Sequence, residues 1–286
     1  MTYLNKIPFH QIGKGEQCIV KTNLALSHKK NNEANLILLE EPENHLSHTK
    51  LNEFVKSITT NHNEKQIIIS THSSFVANKL GLENIILLNN REKSYLKNLP
   101  DDTYNFFKKL PGFETLRLVL SQKAILVEGP SDELIVQKAY MDKHDGRLPI
   151  ENGIDIISVK LTFKRFLEIA NEIKKQVAVV TDNDGKYEKT IEEKYKLFEK
   201  VENIKIFFDK NNDLNTLEPQ FVNANKTKLK ELCKVIGIDF AKYNTEERIA
   251  KYMQSNKTDW ALSIFESNTL LNYPDYINRV IDWCDE

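Results

Sequence analysis

From residue 124 to residue 208 the chain alternates short apolar runs with amphipathic stretches, and few folds tolerate that pattern. The runs fall at 124–128, 154–159, 177–181 and 204–208, and 131–141, 162–174 and 190–201 between them carry helical periodicity. Apolar segments this short suit strands covered on both faces. Strict alternation of strand and helix predicts an open parallel sheet. Upstream, Leu36–Leu39 (LILL), Gln66–Ser70 (QIIIS) and Asn84–Leu88 (NIILL) also read as strands. Leu51, Phe54, Val55 and Ile58 lie at helical spacing between the first two, which makes a β-α-β unit. Residues 98–122, with Pro100 and Pro111, read as a linker ending in a short helix, and from about Asn225 the pattern is mainly helical. The expected class is α/β, divided at 1–97, 98–120 (the linker), 121–224 and 225–286.

At 286 residues, 40% hydrophobic and 28% charged, the chain can bury a substantial core. Its net charge of −1 gives no global field to attract nucleic acid, so such a partner needs a local basic patch or bound cations. Cys18, Cys233 and Cys284 are far apart and form no C-x-x-C pair, which argues against a disulfide scaffold or zinc site. MTYLNKIPFHQ lacks the apolar core of a signal peptide, and no run approaches the ~20 residues of a membrane helix. A cytoplasmic location, away from membranes, is the expectation.

The stretch AILVEGPSDE, residues 124–133, reads as strand, tight turn and helix start. Such turns often present backbone N–H groups to phosphate, yet this one carries Glu128, Asp132 and Glu133. With Ser131 as helix cap, Asp132 and Glu133 would merely favour the positive end of the helix dipole. Capping does not account for Glu128 at the strand tip. A second strand, in QVAVVTDNDGK, also ends in acids, Asp182 and Asp184. In a parallel sheet the strand C-termini converge on one edge, so Glu128, Asp182 and Asp184 should face one crevice. Clustered carboxylates cannot all ionise without compensation, and oxygen-only donors suit Mg²⁺ or Mn²⁺. DNDG is not a calcium EF-hand loop, where glycine stands at position six.

These elements resemble a known domain. Glu128-Gly129 with Asp132, followed by Asp182-Asn183-Asp184, is similar to the Toprim domain of topoisomerases, primases and OLD (overcoming lysogenization defect) nucleases, over about residues 121–222. In the first third, GKGEQ (Gly13, Gly15, Glu16) precedes a helix, LILLEE ends in Glu40 and Glu41, PENHLS follows, and IISTHSS delivers His72. That order resembles the C-terminal half of ABC-type ATPase heads, with signature loop, Walker B strand, D-loop and switch histidine. Glu40 replaces the usual Asp, a variation at home in the OLD family. The resemblance implies that Glu40 holds Mg²⁺, Glu41 polarises water and His72 senses the γ-phosphate. No G-x-x-x-x-G-K-[ST] occurs in the chain, so ATP is expected only where another chain supplies the Walker A loop. The region then reads as a split ATPase or as a dimerisation and docking platform.

ATPase-like before Toprim-like is the OLD order, and it implies a metal-dependent DNA endonuclease in phage defence or DNA processing. Its metal ligands would be Glu128, Asp132, Asp182, Asp184 and Glu218, the last in NTLEPQF, serving two Mg²⁺ or Mn²⁺ ions. Lys257, in SNKTDW, resembles the basic residue such nucleases present to the scissile phosphate, beside Glu128 in the catalytic set. DNA grip falls to Lys160, Lys164 and Arg165, with Lys226, Lys228 and Lys230. A homodimer or a partner subunit is the expected assembly. The rival readings are a non-catalytic, partner-dependent subunit and an RNA-processing Toprim nuclease.

Overall fold

The computed structural model describes residues 3–4, 6–27, 36–61, 65–89, 92–160 and 162–286. The backbone divides into two compact units, one of residues 1–85 and 104–116, the other of 86–103 and 117–286.

In the first unit, β1 (Tyr3–Leu4) and β2 (Ile7–Pro8) form an antiparallel pair ahead of α1 (Lys14–Ser27). The expected β-α-β unit follows as β3 (Leu36–Glu40), α2 (His48–Asn61) and β4 (Gln66–Ser70), with Glu40 opposite Ser70 in a parallel pair. Leu51, Phe54, Val55 and Ile58 are all buried, as their spacing required. Leu51 and Val55 pack on Val76 of α3 (Ser74–Leu80), whose first turn is capped by the Ser73 hydroxyl.

Next come an antiparallel pair, β5 (Ile86–Asn89) and β6 (Glu92–Tyr95), and two helices, α4 (Asp101–Lys109) and α5 (Thr115–Leu120). The stretch expected to be a linker is thus mostly helical. Pro100 and Pro111 bracket α4, which has Asp101 and Asp102 in its first turn and Lys108 and Lys109 in its last. Proline outside a helix is compatible with it, and those charges complement its dipole.

The second unit is built on β7 (Lys123–Val127), β8 (Ile154–Ser158), β9 (Gln176–Val180) and β10 (Ile204–Phe207), all parallel in the order β10-β9-β7-β8. Ala124 to Val127 and Val177 to Val180 are buried at every position, so the sheet is covered on both faces. The chain leaves β7 for β8 on one side and β9 for β10 on the other. The ends of β7 and β9 therefore flank a topological switch point, where open α/β sheets bind ligands.

The flanking helices are α6 (Pro130–Lys143), α7 (Phe163–Glu172), α8 (Leu217–Ala224), α9 (Leu229–Val235), α10 (Glu246–Ser255), α11 (Asp259–Glu266) and α12 (Asp275–Cys284). Ile125, Val127 and Ala178 share one core with Phe221, Trp260 and Tyr276 of α8, α11 and α12. The helix expected at 190–201 is instead a π-helical turn, Glu188–Glu193, and a 3₁₀ turn, Lys196–Phe198. The Thr190 hydroxyl donates to the carbonyls of Asn183 and Lys186, drawing the first turn out of α register. Ile191, Tyr195 and Phe198 are still buried.

Candidate active site

Residue 128 lies just past β7, beside the end of β9. One carboxylate oxygen of Glu128 accepts from the Thr181 hydroxyl at 2.6 Å and from the Asp182 backbone N–H at 3.1 Å. The two acidic strand ends are thereby tied together. Gly129 caps α6, Pro130 opens it and Asp132 is its third residue, with one carboxylate oxygen accepting from the Gly129 N–H at 3.1 Å. Ser131 is therefore not the cap. Proline at the first helical position moves the cap back to Gly129. The freed Ser131 hydroxyl accepts from the Thr258 N–H at 3.1 Å.

That bond places the Lys257-Thr258 turn against the first turn of α6, beside Asp132. Thr258 has a φ of +67°, a conformation unusual for a β-branched residue, and Lys257 is exposed. Glu218 is buried in the first turn of α8, where the Thr216 hydroxyl donates to it at 2.9 Å.

The acids act on one another electrostatically. Burial, followed by the charges of Glu128 and Glu218, pushes the Asp132 carboxyl up to about 7. Burial, followed by Asp132, Glu128, Glu218 and Asp184, pushes Asp182 up to about 9. The Asp182 carboxylate thus feels every other acid of the set read from the sequence, including Glu218. Its Oδ1 is buried without a hydrogen-bond partner.

Five clustered carboxylates, one with an orphaned buried oxygen, fit hard divalent cations as a donor set. Among the described residues, no three His, Cys, Asp or Glu side chains are already arranged to hold a metal ion. Glu128, Asp132 and Glu218 each accept a hydrogen bond from a protein donor in this arrangement.

Sequence reasoning missed several neighbours. Asp209 follows β10, and its charge, with those of Asp182, Asp132 and Glu128, acts on the fully buried Tyr276 hydroxyl. A third acid beyond a parallel strand was the available signal. Tyr195, buried, has its hydroxyl beside Thr181 and lies near Glu128 and Asp184.

The residues expected to grip DNA divide into two groups. Arg165 pairs with Asp102 at 2.5 Å and also with Glu168, Lys164 lies 3.7 Å from Glu168, and Lys228 donates to the Leu270 carbonyl at 2.9 Å. Lys230 stands over the Phe240 ring. Lys164 and Lys230 are nevertheless exposed, as are Lys160 and Lys226.

In the first unit, Glu40, Glu41 and His72 meet at the end of the β3–β4 pair. The Glu41 N–H donates to Ser70, and its carboxylate lies 3.7 Å from His72 Nδ1. Glu43, not singled out in the sequence, pins this corner, accepting from the Thr71 hydroxyl at 2.6 Å and the His72 N–H at 3.0 Å. Glu16 pairs with Lys50 at 3.4 Å. A Cβ at Gly15 would stand 2.2 Å from the His45 carbonyl oxygen, whereas one at Gly13 would meet open space. Gly15→Ala should therefore pry α1 from the 42–47 loop and destabilise the first unit by about 1–3 kcal/mol. Gly13→Ala should cost less than about 1 kcal/mol. Urea titration of the two variants checks the contrast.

Residues 119–184 match the family model of the "Overcoming lysogenization defect protein-like, TOPRIM domain". Residues 2–78 match that of the "AAA domain, putative AbiEii toxin, Type IV TA system". No curated protein matches the chain. Among solved structures, the C-terminal region of the Burkholderia pseudomallei OLD protein is 17% identical, with a TM-score of 0.46 over 57% of this chain and 97% of that one. The corresponding region from Xanthomonas campestris pv. campestris is 17% identical, with a TM-score of 0.44 over 58% of this chain and 93% of that one. No helix among the described residues is long and apolar enough to cross a membrane. The chain thus resembles OLD-family proteins as its motifs implied, with an AAA-type segment followed by an OLD-like Toprim segment.

Proposed function

We propose that the second unit is a divalent-metal-dependent nuclease that cuts DNA phosphodiester bonds, acting in phage defence or DNA processing in the cytoplasm. The observation that carries this reading is the half-buried Asp182 carboxylate, with one buried oxygen unpaired and under the charge of four other acids. The Toprim match supports a nuclease-type function for such a cluster.

Glu128, Asp132, Asp182, Asp184 and Glu218 would hold two Mg²⁺ or Mn²⁺ ions, which supply Lewis acidity and charge neutralisation at the phosphodiester. The chain's own groups do the rest. Thr181 and the Asp182 N–H fix the Glu128 carboxylate, so its orientation is set before substrate arrives. Lys257, on a turn held by Ser131, would offset charge accumulating on the phosphate oxygens. Lys160 and Lys226, both exposed, would meet the nucleic-acid backbone. The first unit is a docking platform, for a second copy or a partner that brings the Walker A loop.

The purified chain should nick plasmid DNA in Mg²⁺ or Mn²⁺ and lose that activity on Glu128→Ala. Labelled DNA and RNA offered in parallel identify the substrate. Preference for RNA would replace DNA in this reading, and undiminished cleavage by the Glu128 variant would overturn it.

A further inference from the structure

Between Asp182 and Asp184 stands Asn183, an amide among acids. Its side chain is fully buried and faces a different segment of the chain. The Asn183 Nδ2 group donates to three carbonyls of the 208–216 loop: Asp209 at 2.8 Å, Asn211 at 2.9 Å and Leu214 at 3.1 Å. Two N–H bonds serve three acceptors, so at least one is shared. Asn183 Oδ1 accepts in turn from the Gly185 N–H at 2.8 Å, folding the loop after β9 back on itself. The backbone adds a parallel strap, from the Asp184 N–H to the Asn215 carbonyl at 3.2 Å. Asp184 and Gly185 both have positive φ, 51° and 75°, so this tight reversal is held in place from outside.

The clamped loop runs directly into α8. Thr216, its last residue, caps the helix and donates to Glu218. The Leu214 carbonyl held by Asn183 is also held by Gln220 Nε2 at 2.8 Å, and Gln220 Oε1 accepts from the buried Tyr276 hydroxyl at 2.7 Å. One carbonyl is therefore the point where the loop bearing Asp182 and Asp184 meets the helix bearing Glu218.

We infer that Asn183 is a positioning residue, a clamp that sets Glu218 and its helix against Asp182 and Asp184. The inference rests on the nuclease reading for its consequence but not for its geometry. No other side chain of this size fills the role. Aspartate would aim a carboxylate at three carbonyls with no proton to offer, and leucine would fill the space while removing all three bonds, leaving the Leu214 carbonyl to Gln220 and the Asn211 carbonyl to the Leu214 N–H.

Hydrogen exchange of the full chain without added cation tests the clamp. In the wild type, the Asp184, Gly185, Asn211 and Asp213 amides should exchange as one cooperative group. In Asn183→Ala and Asn183→Leu all four should exchange about tenfold faster or more, with β7 and β9 amides unchanged. Mn²⁺ affinity should fall about tenfold, and kcat for cleavage about a hundredfold with KM for DNA held. Unrelated exchange rates for the two loops in the wild type would overturn the clamp, and this arm needs no variant to fold. Unchanged loop protection in the leucine variant would overturn it too, since packing alone would then suffice. Exchange reads the clamp without cleavage, so a chain that cuts neither DNA nor RNA sinks the nuclease reading alone.

Discussion

Asp182→Asn is expected to abolish plasmid nicking while making the metal-free protein more stable above neutral pH. The loss should be at least about a hundred- to a thousand-fold, the scale for removing one preorganised electrostatic element. The gain follows from the proton. In the folded chain Asp182 titrates at about 9, against a reference value of 3.8. Between those two values the folded chain keeps a proton that the unfolded chain has released. Each pH unit in that window therefore lowers native stability by about 1.4 kcal/mol for the group. Asparagine has the same shape and nothing to ionise, so at pH 8 the variant should be more stable by an amount on the order of a few kcal/mol. Denaturant titrations at pH 5 and pH 8 check the sign, with the larger gain expected at pH 8. A variant that is inactive and destabilised at both values would show Asp182 to be structural.

The same proton linkage governs cations. Asp132, pushed up to about 7, and Asp182, up to about 9, both hold protons at pH 6 in the metal-free chain. Binding Mg²⁺ or Mn²⁺ must displace them. Calorimetry in two buffers of different ionisation enthalpy should count about two protons released at pH 6, about one at pH 8 and almost none above about 10. Apparent affinity should climb over the same range. Metal-free stability should fall as pH rises above about 4, less steeply past about 7, and level off past about 9, where cation should restore it most. Binding without proton release at pH 6 would mean that the ions sit elsewhere.

Much of the second unit was legible because its signals are local. Short apolar runs between amphipathic stretches can bury themselves only as parallel strands, and Glu128, Asp182 and Asp184 stand where such strands end. The misread segments share a different cause. Pro100 and Pro111 punctuate the chain, but proline marks a helix boundary as readily as a linker, and here the two enclose α4. Ser131-Asp132-Glu133 resembles a capped helix start, but Pro130 claims the first helical position. Thr190 defeats the helical periodicity of 190–201 by bonding its hydroxyl back to Lys186. Asn183, Gln220 and Tyr276 were out of reach altogether. The partners of Asn183 are backbone carbonyls 26 to 31 residues away, and no spacing rule encodes such a contact.

The bond from Thr258 to Ser131 spans 127 positions of sequence. Contacts so distant form late, because the intervening chain must be ordered before they are rewarded. The β7 and β9 acids are synthesised before Lys257 and the core residues of α11 and α12. A ribosome-bound or half-folded intermediate would carry the carboxylates without the cation that completes them. On the nuclease reading proposed above, late closure of this contact would act as a folding checkpoint, so that cutting capacity would come only with the finished fold.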